Sequence, residues 1–202
     1  MASKQRTGRT VFDADYYQRF YHDPRTRAGT VEEAQLRGRF LASYVRYIEL
    51  SVRRIAEFGC GLGDLLGTLK EEFPRARVTG VEVSEHLCET LGWTRGSVVD
   101  FSARAPFDLT VCYDVIQYLP DREAEAALEN LARLTQGALF LGVLTKEDWL
   151  YYCDQERTDP EVFLRTTRWY RTRLAQWFTN VGGGLWLRQP ERATVWSLDR
   201  VP

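Results

Sequence analysis

Three glycines spaced two apart, Gly59, Gly61 and Gly63, follow a carboxylate at Glu57, and a second carboxylate, Glu82, stands about twenty residues further on. Glycine admits positive φ and lets a backbone approach a ligand closely, and a helix opening just beyond offers unpaired N–H groups. Standing alone, such a loop is as well explained as a turn. With Glu82 at the end of the following strand it matches the layout in which a carboxylate meets ribose hydroxyls. The dinucleotide spacing G-x-G-x-x-G would need glycine at position 64, which is Asp64. Glu57 beside a pyrophosphate would be repelled, whereas beside an ammonium group it is favourable. The residues therefore point to a nucleoside carrying an amino acid rather than phosphates.

These groups need elements to hold them. Phe12 to His22 reads as a helix broken by Asp23-Pro24, after a polar tail over the first ten residues. Thr30 with Glu33 forms a capping-box pattern opening a helix to about Ile48, with Leu36, Phe40, Leu41, Tyr44, Val45 and Ile48 at helical spacing. Strands are expected at Arg53–Phe58, Arg77–Val83, Ser97–Asp100, Phe107–Tyr113 and Ala138–Leu144. Between them lie helices from Asp64 to about Phe73, from Ser84 to Gly92, and one capped by Asp121 that turns Ala127, Leu128, Leu131 and Leu134 inward. A helix near Thr167–Phe178 leads to Gly182-Gly183-Gly184, and Leu185–Arg188 with Ala193–Leu198 reads as a closing hairpin around Gln189–Arg192. Alternating strands and helices imply a parallel sheet buried on both faces. The expected fold is α/β: a Rossmann-like, doubly wound sheet of about seven strands, mostly parallel with an antiparallel C-terminal hairpin strand, plus N-terminal lid helices. The expected organisation is one domain over 1–202, with tail and lid in 1–50 and the core in 51–202.

Four segments, in order, carry a resemblance. Glu57-Phe58-Gly59-Cys60-Gly61-Leu62-Gly63, Val81-Glu82-Val83-Ser84, Gly96-Ser97-Val98-Val99-Asp100 and the run Phe107 to Asp121 resemble the successive motifs of the class I S-adenosylmethionine-dependent methyltransferases. The resemblance spans roughly residues 53 to 145. It implies S-adenosyl-L-methionine as cofactor and S-adenosyl-L-homocysteine as product. Glu57 would approach the methionine ammonium, and the backbone of Gly59, Cys60, Gly61 and Gly63 would pass beneath methionine and ribose. Glu82 would hold the ribose hydroxyls with Val83 beside the adenine, Val99 and Asp100 would flank that base, and Cys112, Tyr113 and Val115 would line the floor by the sulfonium. Family members often have Glu-His-Leu where this chain has Gln117-Tyr118-Leu119. A histidine base is absent there, and the role falls to Tyr118 or to nothing. Asp100 and Asp114 have a plainer reading as caps or turn residues.

Methyl transfer needs chiefly alignment and exclusion of water, with a base only for a protonated nucleophile. The acceptor side is expected at two aromatic segments, Tyr16, Tyr17 and Tyr21 before the long helix and Trp149 and Tyr152 after the fifth strand, though packing explains any one of them as well. Of the two histidines, His22 is the candidate base and His86 the surface residue. Arg165, Arg168, Arg171 and Arg173 could bind an acidic acceptor, though a solvated helix face is the plainer reading. Lys plus Arg (27) nearly balance Asp plus Glu (28), which disfavours nucleic acid. The four cysteines show no metal or disulfide pattern, and no apolar run reaches membrane length. A small-molecule acceptor for oxygen, nitrogen or sulfur methylation, no metal, no membrane, a cytoplasmic setting and a monomer or homodimer are the expectations. The competing readings are an NAD(P)-dependent oxidoreductase, against which Asp64 and the lack of a Tyr-x-x-x-Lys pair count, and a non-catalytic cofactor-binding or interaction domain.

Overall fold

The computed structural model describes residues 12–27 and 29–201, so the polar tail expected over the first ten residues lies outside the described residues. The chain begins with α1 (Ala14–Tyr17), capped by the Asp13 carboxylate, and runs directly into a π-helical turn, Gln18–His22. The expected lid helix is therefore two short pieces. Helix α2 (Val31–Tyr47) opens on the Thr30–Glu33 capping box, both halves of which form.

Seven strands form one sheet: β1 (Arg54–Phe58), β2 (Arg77–Glu82), β3 (Thr94–Arg95), β4 (Phe107–Tyr113), β5 (Thr135–Gly142), β6 (Phe178–Asn180) and β7 (Leu185–Arg188). Their order is β3-β2-β1-β4-β5-β7-β6, with β7 antiparallel to both its neighbours and every other pairing parallel. The helices α3 (Asp64–Glu72), α4 (Glu85–Leu91), α5 (Asp121–Leu134), α6 (Lys146–Tyr151) and α7 (Thr167–Leu174) connect or flank the strands. Each strand sends alternate residues to opposite faces. Ala56, Phe58, Cys112, Leu139 and Leu141 pack with α5 residues such as Leu128 and Leu131. Ile55, Leu109, Val111, Ala138 and Phe140 pack with Leu41, Val45 and Ile48 of α2 and Leu65, Leu66 and Leu69 of α3. The expected doubly wound, mostly parallel architecture is what the chain forms.

Three local expectations are corrected. Ser97–Asp100 is a turn, and the edge strand beside β2 is instead Thr94–Arg95. Side-chain bonds compete with a ladder here: Ser97 Oγ accepts from the Val99 amide, while Asn130 donates to the Val98 and Phe101 carbonyls at 2.9 and 3.0 Å. The closing hairpin lies one element earlier, between β6 and β7, because Gly182, Gly183 and Gly184 take φ of +81°, +56° and +79° and make the reversal themselves. Helix α7 accordingly ends at Leu174, and Ala193–Leu198 forms no strand; Thr194 instead donates its amide to the Ile48 carbonyl at 2.8 Å. Asp121 is the first helical residue, not the cap of α5. Its carboxylate goes to Arg165, 2.9 Å away.

Arg165, read from sequence as part of a solvated face, is 6% exposed. Its guanidinium reaches the carbonyls of Ile116 and Leu119, at either end of the 3₁₀ turn Ile116–Tyr118, and the Tyr170 hydroxyl. Replacing it strips buried acceptors of their donors, so Arg165→Met is expected to cost about 2–4 kcal/mol in urea unfolding. Asp121→Asn, at a largely exposed partner, is expected to cost under ~1 kcal/mol.

Candidate cofactor and acceptor cleft

In a sheet of this order the chain reverses direction of winding between β1 and β4, and the crevice beyond their carboxyl ends is the place for a ligand. A cleft of about 770 Å³ opens there, within the range of small-molecule sites. Gly59, Gly61, Glu82, Val83, Asp114, Val115 and Tyr118 contribute to its wall, and Phe12, Tyr16, Tyr17 and Tyr21 cover it from the N-terminal segment.

The glycines are required for three different reasons. Gly59, at φ +70°, leaves room for Val115, whose Cγ2 would stand 2.2 Å from an added Cβ. Gly63, at φ +85°, is packed by Trp93, 2.5 Å from where a Cβ would sit. Gly61, at φ +51°, has open space there, so its backbone is the part of the loop a ligand can approach. Trp93 Nε1 donates to the Gly61 carbonyl at 2.9 Å and so pins the loop from outside.

Glu82 is buried and held by three backbone amides. Its Oε2 accepts from the Gly61 amide at 2.9 Å, and its Oε1 accepts from the Val83 and Ser84 amides at 2.8 and 3.0 Å. Oε2 takes a single amide and keeps acceptor capacity toward the cleft. Ser84 then caps α4 and donates its hydroxyl to the Phe12 carbonyl at 2.6 Å, tying the covering segment to the end of β2. The Tyr16 and Tyr118 hydroxyls lie 2.9 Å apart and tie it to the loop after β4.

Glu57 faces the α2/α3 side, behind the loop and outside the cleft wall. It is 4% exposed and its Oε2 has no hydrogen-bond partner. Burial pushes its pKa up to about 8; an amide bond from Leu66 and the charge of Arg37 oppose the rise, while Glu82 and Asp64 add to it. Asp114, within the fourth motif and with a cap or turn as its plainer alternative, is on the wall in the left-handed region at φ +56°. Burial raises its pKa, opposed by a bond from Gln117 Nε2 at 3.2 Å and by Arg37. The Arg37 guanidinium itself stacks 3.8 Å above the Tyr113 ring.

Of the residues predicted from sequence, Gly59, Gly61, Glu82, Val83, Val115, Tyr16, Tyr17, Tyr21 and Tyr118 meet on this wall. Cys60, Gly63, Val99, Asp100, Cys112 and Tyr113 stand behind or beside it. Trp149 and Tyr152, on and after α6, lie away from it, Tyr152 being 84% exposed. His22 ends the π turn exposed to solvent and off the wall, whereas His86 is on it. Burial raises the Tyr118 pKa, so the phenol stays protonated and serves as a hydrogen-bonding group. The sequence reading missed Phe12 and Trp93. The signal for Trp93 was its place after Gly92, the left-handed cap of α4, which aims the indole back at the loop.

Comparison with known proteins agrees with this geometry. Residues 56–138 match the family model described as a methyltransferase domain, and the fold is that of the class I methyltransferases. In fold, and in the sequence of that segment, the chain is similar to them. It superposes on DesVI of Streptomyces venezuelae with a TM-score of 0.61 at 18% identity, covering 89% of this chain and 98% of that one. For CalS10 of Micromonospora echinaspora, an amino pentose methyltransferase with S-adenosylmethionine bound, the TM-score is 0.56 at 17% identity, over 79% and 97%. The magnesium protoporphyrin IX methyltransferase of Synechocystis, with S-adenosylhomocysteine bound, gives 0.57 at 18%, over 87% and 94%. In sequence, 92 residues are 31% identical to a trans-aconitate 2-methyltransferase of Azoarcus sp. (strain BH72), covering 42% of this chain and 36% of that protein's length. Among the described residues no helix is long and apolar enough to cross a membrane.

Glu57 carries a stability signature. Its ordinary pKa of 4.5 applies to the unfolded chain, and the folded value is about 8. Between these the folded state keeps a proton that the unfolded state releases, so stability falls as pH rises through the window. Glu57→Gln removes this term. Its stability relative to the parent is expected to improve by roughly 2–4 kcal/mol between about pH 5 and about pH 8 in urea unfolding. A pH-independent difference would contradict the assignment.

Proposed function

We propose that the protein is an S-adenosylmethionine-dependent methyltransferase acting on a small-molecule acceptor. The observation that carries this reading is the convergence of the open Gly61 backbone and the Glu82 carboxylate on one wall of a covered cleft. The residues present fit the cofactor. Gly61 has no Cβ to obstruct it, and Glu82 Oε2 has acceptor capacity for a ribose hydroxyl. Val83, exposed at the end of β2, would lie along the adenine with Val98 and Ser97. Bound there, the cofactor supplies an electrophilic methyl group on a sulfonium.

The chain's own contribution is alignment and dryness. Phe12, Tyr16, Tyr17 and Tyr21 close the cleft over the acceptor, and Val115 and Leu119 make its floor apolar. An acceptor enclosed this way is small; a nucleic-acid partner is disfavoured, since among the described residues none lining the cleft is Lys or Arg. A cytosolic setting and a monomer or homodimer complete the reading.

The test is calorimetry with S-adenosylmethionine, S-adenosylhomocysteine and NAD. Micromolar-range binding of the first two and none of the third is expected, and Glu82→Ala is expected to weaken binding by more than about tenfold, as the loss of a hydrogen-bonded carboxylate. No binding by the intact protein rejects the proposal.

A further inference from the structure

We infer that the acceptor is an amine, received beneath the covering tyrosines with its nitrogen at the Asp114 carboxylate. The inference rests on the methyl-transfer reading above and concerns the half of the cleft that reading leaves open.

Charge decides the class of acceptor. Among the described residues, the ionisable side chains on the wall, tyrosines apart, are Asp13, Glu82, Glu85, Glu89, Asp114 and His86, with no Lys or Arg. A carboxylate acceptor would enter such a cleft unpaired and repelled, at a desolvation cost nothing on the wall offsets. A cationic or hydrogen-bonding amine is drawn in. Most of these acids are already committed. Asp13 caps α1, Glu82 holds three amides, and Glu85 pairs with Arg95. Asp114, also on the wall, keeps capacity to spare: its Oδ1 accepts from Gln117 Nε2 at 3.2 Å.

The aromatic groups agree. Tyr16, Tyr21 and Tyr118 lie close enough for the Asp114 charge to act on each of them. Tyr16 sits edge-on to Tyr17, with centroids 5.4 Å apart, and Tyr17 lies 5.2 Å from Tyr21. Tyrosine rings that share a wall with a carboxylate suit a cation. Arg37, the cation facing Asp114 from α2, is stacked on Tyr113 and is not on the wall, so it leaves the place open. The backbone at Asp114 is held at φ +56° by its amide bond to the Gly142 carbonyl at 3.0 Å, a strained placement of the kind found at working residues.

In the transfer, the acceptor's ammonium gives one proton to the Asp114 carboxylate. The freed nitrogen lone pair forms a bond to the methyl carbon as the carbon–sulfur bond breaks and leaves its electron pair on sulfur. The product departs as a methylated ammonium, and Asp114 returns its proton to solvent.

The experiment measures binding to the protein saturated with S-adenosylhomocysteine, using matched probes: benzylamine against benzoate, cyclohexylamine against cyclohexanecarboxylate, and trans-aconitate as a polycarboxylate. Each amine is expected to bind at least about tenfold more tightly than its carboxylate partner. Asp114→Asn, a residue that tolerates positive φ and so preserves the fold, is expected to abolish that preference while S-adenosylhomocysteine affinity stays within about threefold. Carboxylates binding as well as amines, a preference that survives Asp114→Asn, or a parallel loss of S-adenosylhomocysteine affinity would each overturn the inference. Failure of S-adenosylhomocysteine to bind the parent protein would reject the underlying reading instead, and is seen before any probe is added.

Discussion

Three backbone amides converge on one buried carboxylate, and the cleft depends on that convergence. Glu82 draws Gly61 from the loop after β1 and Val83 and Ser84 from the end of β2 onto a single pair of oxygens. Charge-assisted bonds of this kind are roughly twice as strong as neutral ones. They fix the path of the glycine loop relative to the neighbouring strand, and through Ser84 they reach the Phe12 carbonyl and the segment covering the cleft. One side chain thus sets the floor, one wall and an anchor of the roof.

The contrast with Glu57 is instructive. Both carboxylates are almost fully buried, at 3% and 4% exposure, and they belong to adjacent strands. Glu82 has its donors within the fold. Glu57 has an oxygen without one, and its pKa rises to about 8 as a result of burial. A fold that retains an unsatisfied carboxyl forgoes stability at that position, and the placement makes sense where a charge is to be supplied from outside.

What the sequence made legible was governed by local rules. The capping box at Thr30, the Ser84 cap, the glycine loop and the alternation of strands with helices each follow from a few neighbouring residues, and each formed. What it concealed was decided at a distance. Ser97–Asp100 has strand-like composition, but Asn130 and Ser97 take its backbone groups into a turn. Gly182 to Gly184 stood ahead of the expected hairpin, and three successive positive φ angles make them the turn of the hairpin itself. Arg165 looked like surface because its acceptors, the carbonyls of Ile116 and Leu119, come from more than forty residues away along the chain. In the cleft, Gly59, Gly61, Glu82 and Val83 could be expected on one wall because they are clustered in motifs. Asp114 and Phe12 could not, since only the tertiary fold brings them to the same wall.

The first glycine of the loop shows how the two halves of the cleft are coupled. Gly59 lacks a side chain to make room for Val115, whose methyl occupies the space at the tip of β4. Val115 follows Asp114 directly, so the packing that admits the valine also sets the start of the loop bearing the carboxylate. At the other side of that tip Gly142 admits the Tyr113 ring, 2.2 Å from where its Cβ would be, and its carbonyl accepts the Asp114 amide. Asp114 is thereby fixed between residues whose neighbours are both held by glycines of adjacent strands. A side chain at Gly59 would shift Val115 and with it the acceptor-side carboxylate, although Gly59 belongs to the cofactor motif. The loop that first suggests a nucleotide is, at its leading glycine, a device for placing the group that meets the second substrate.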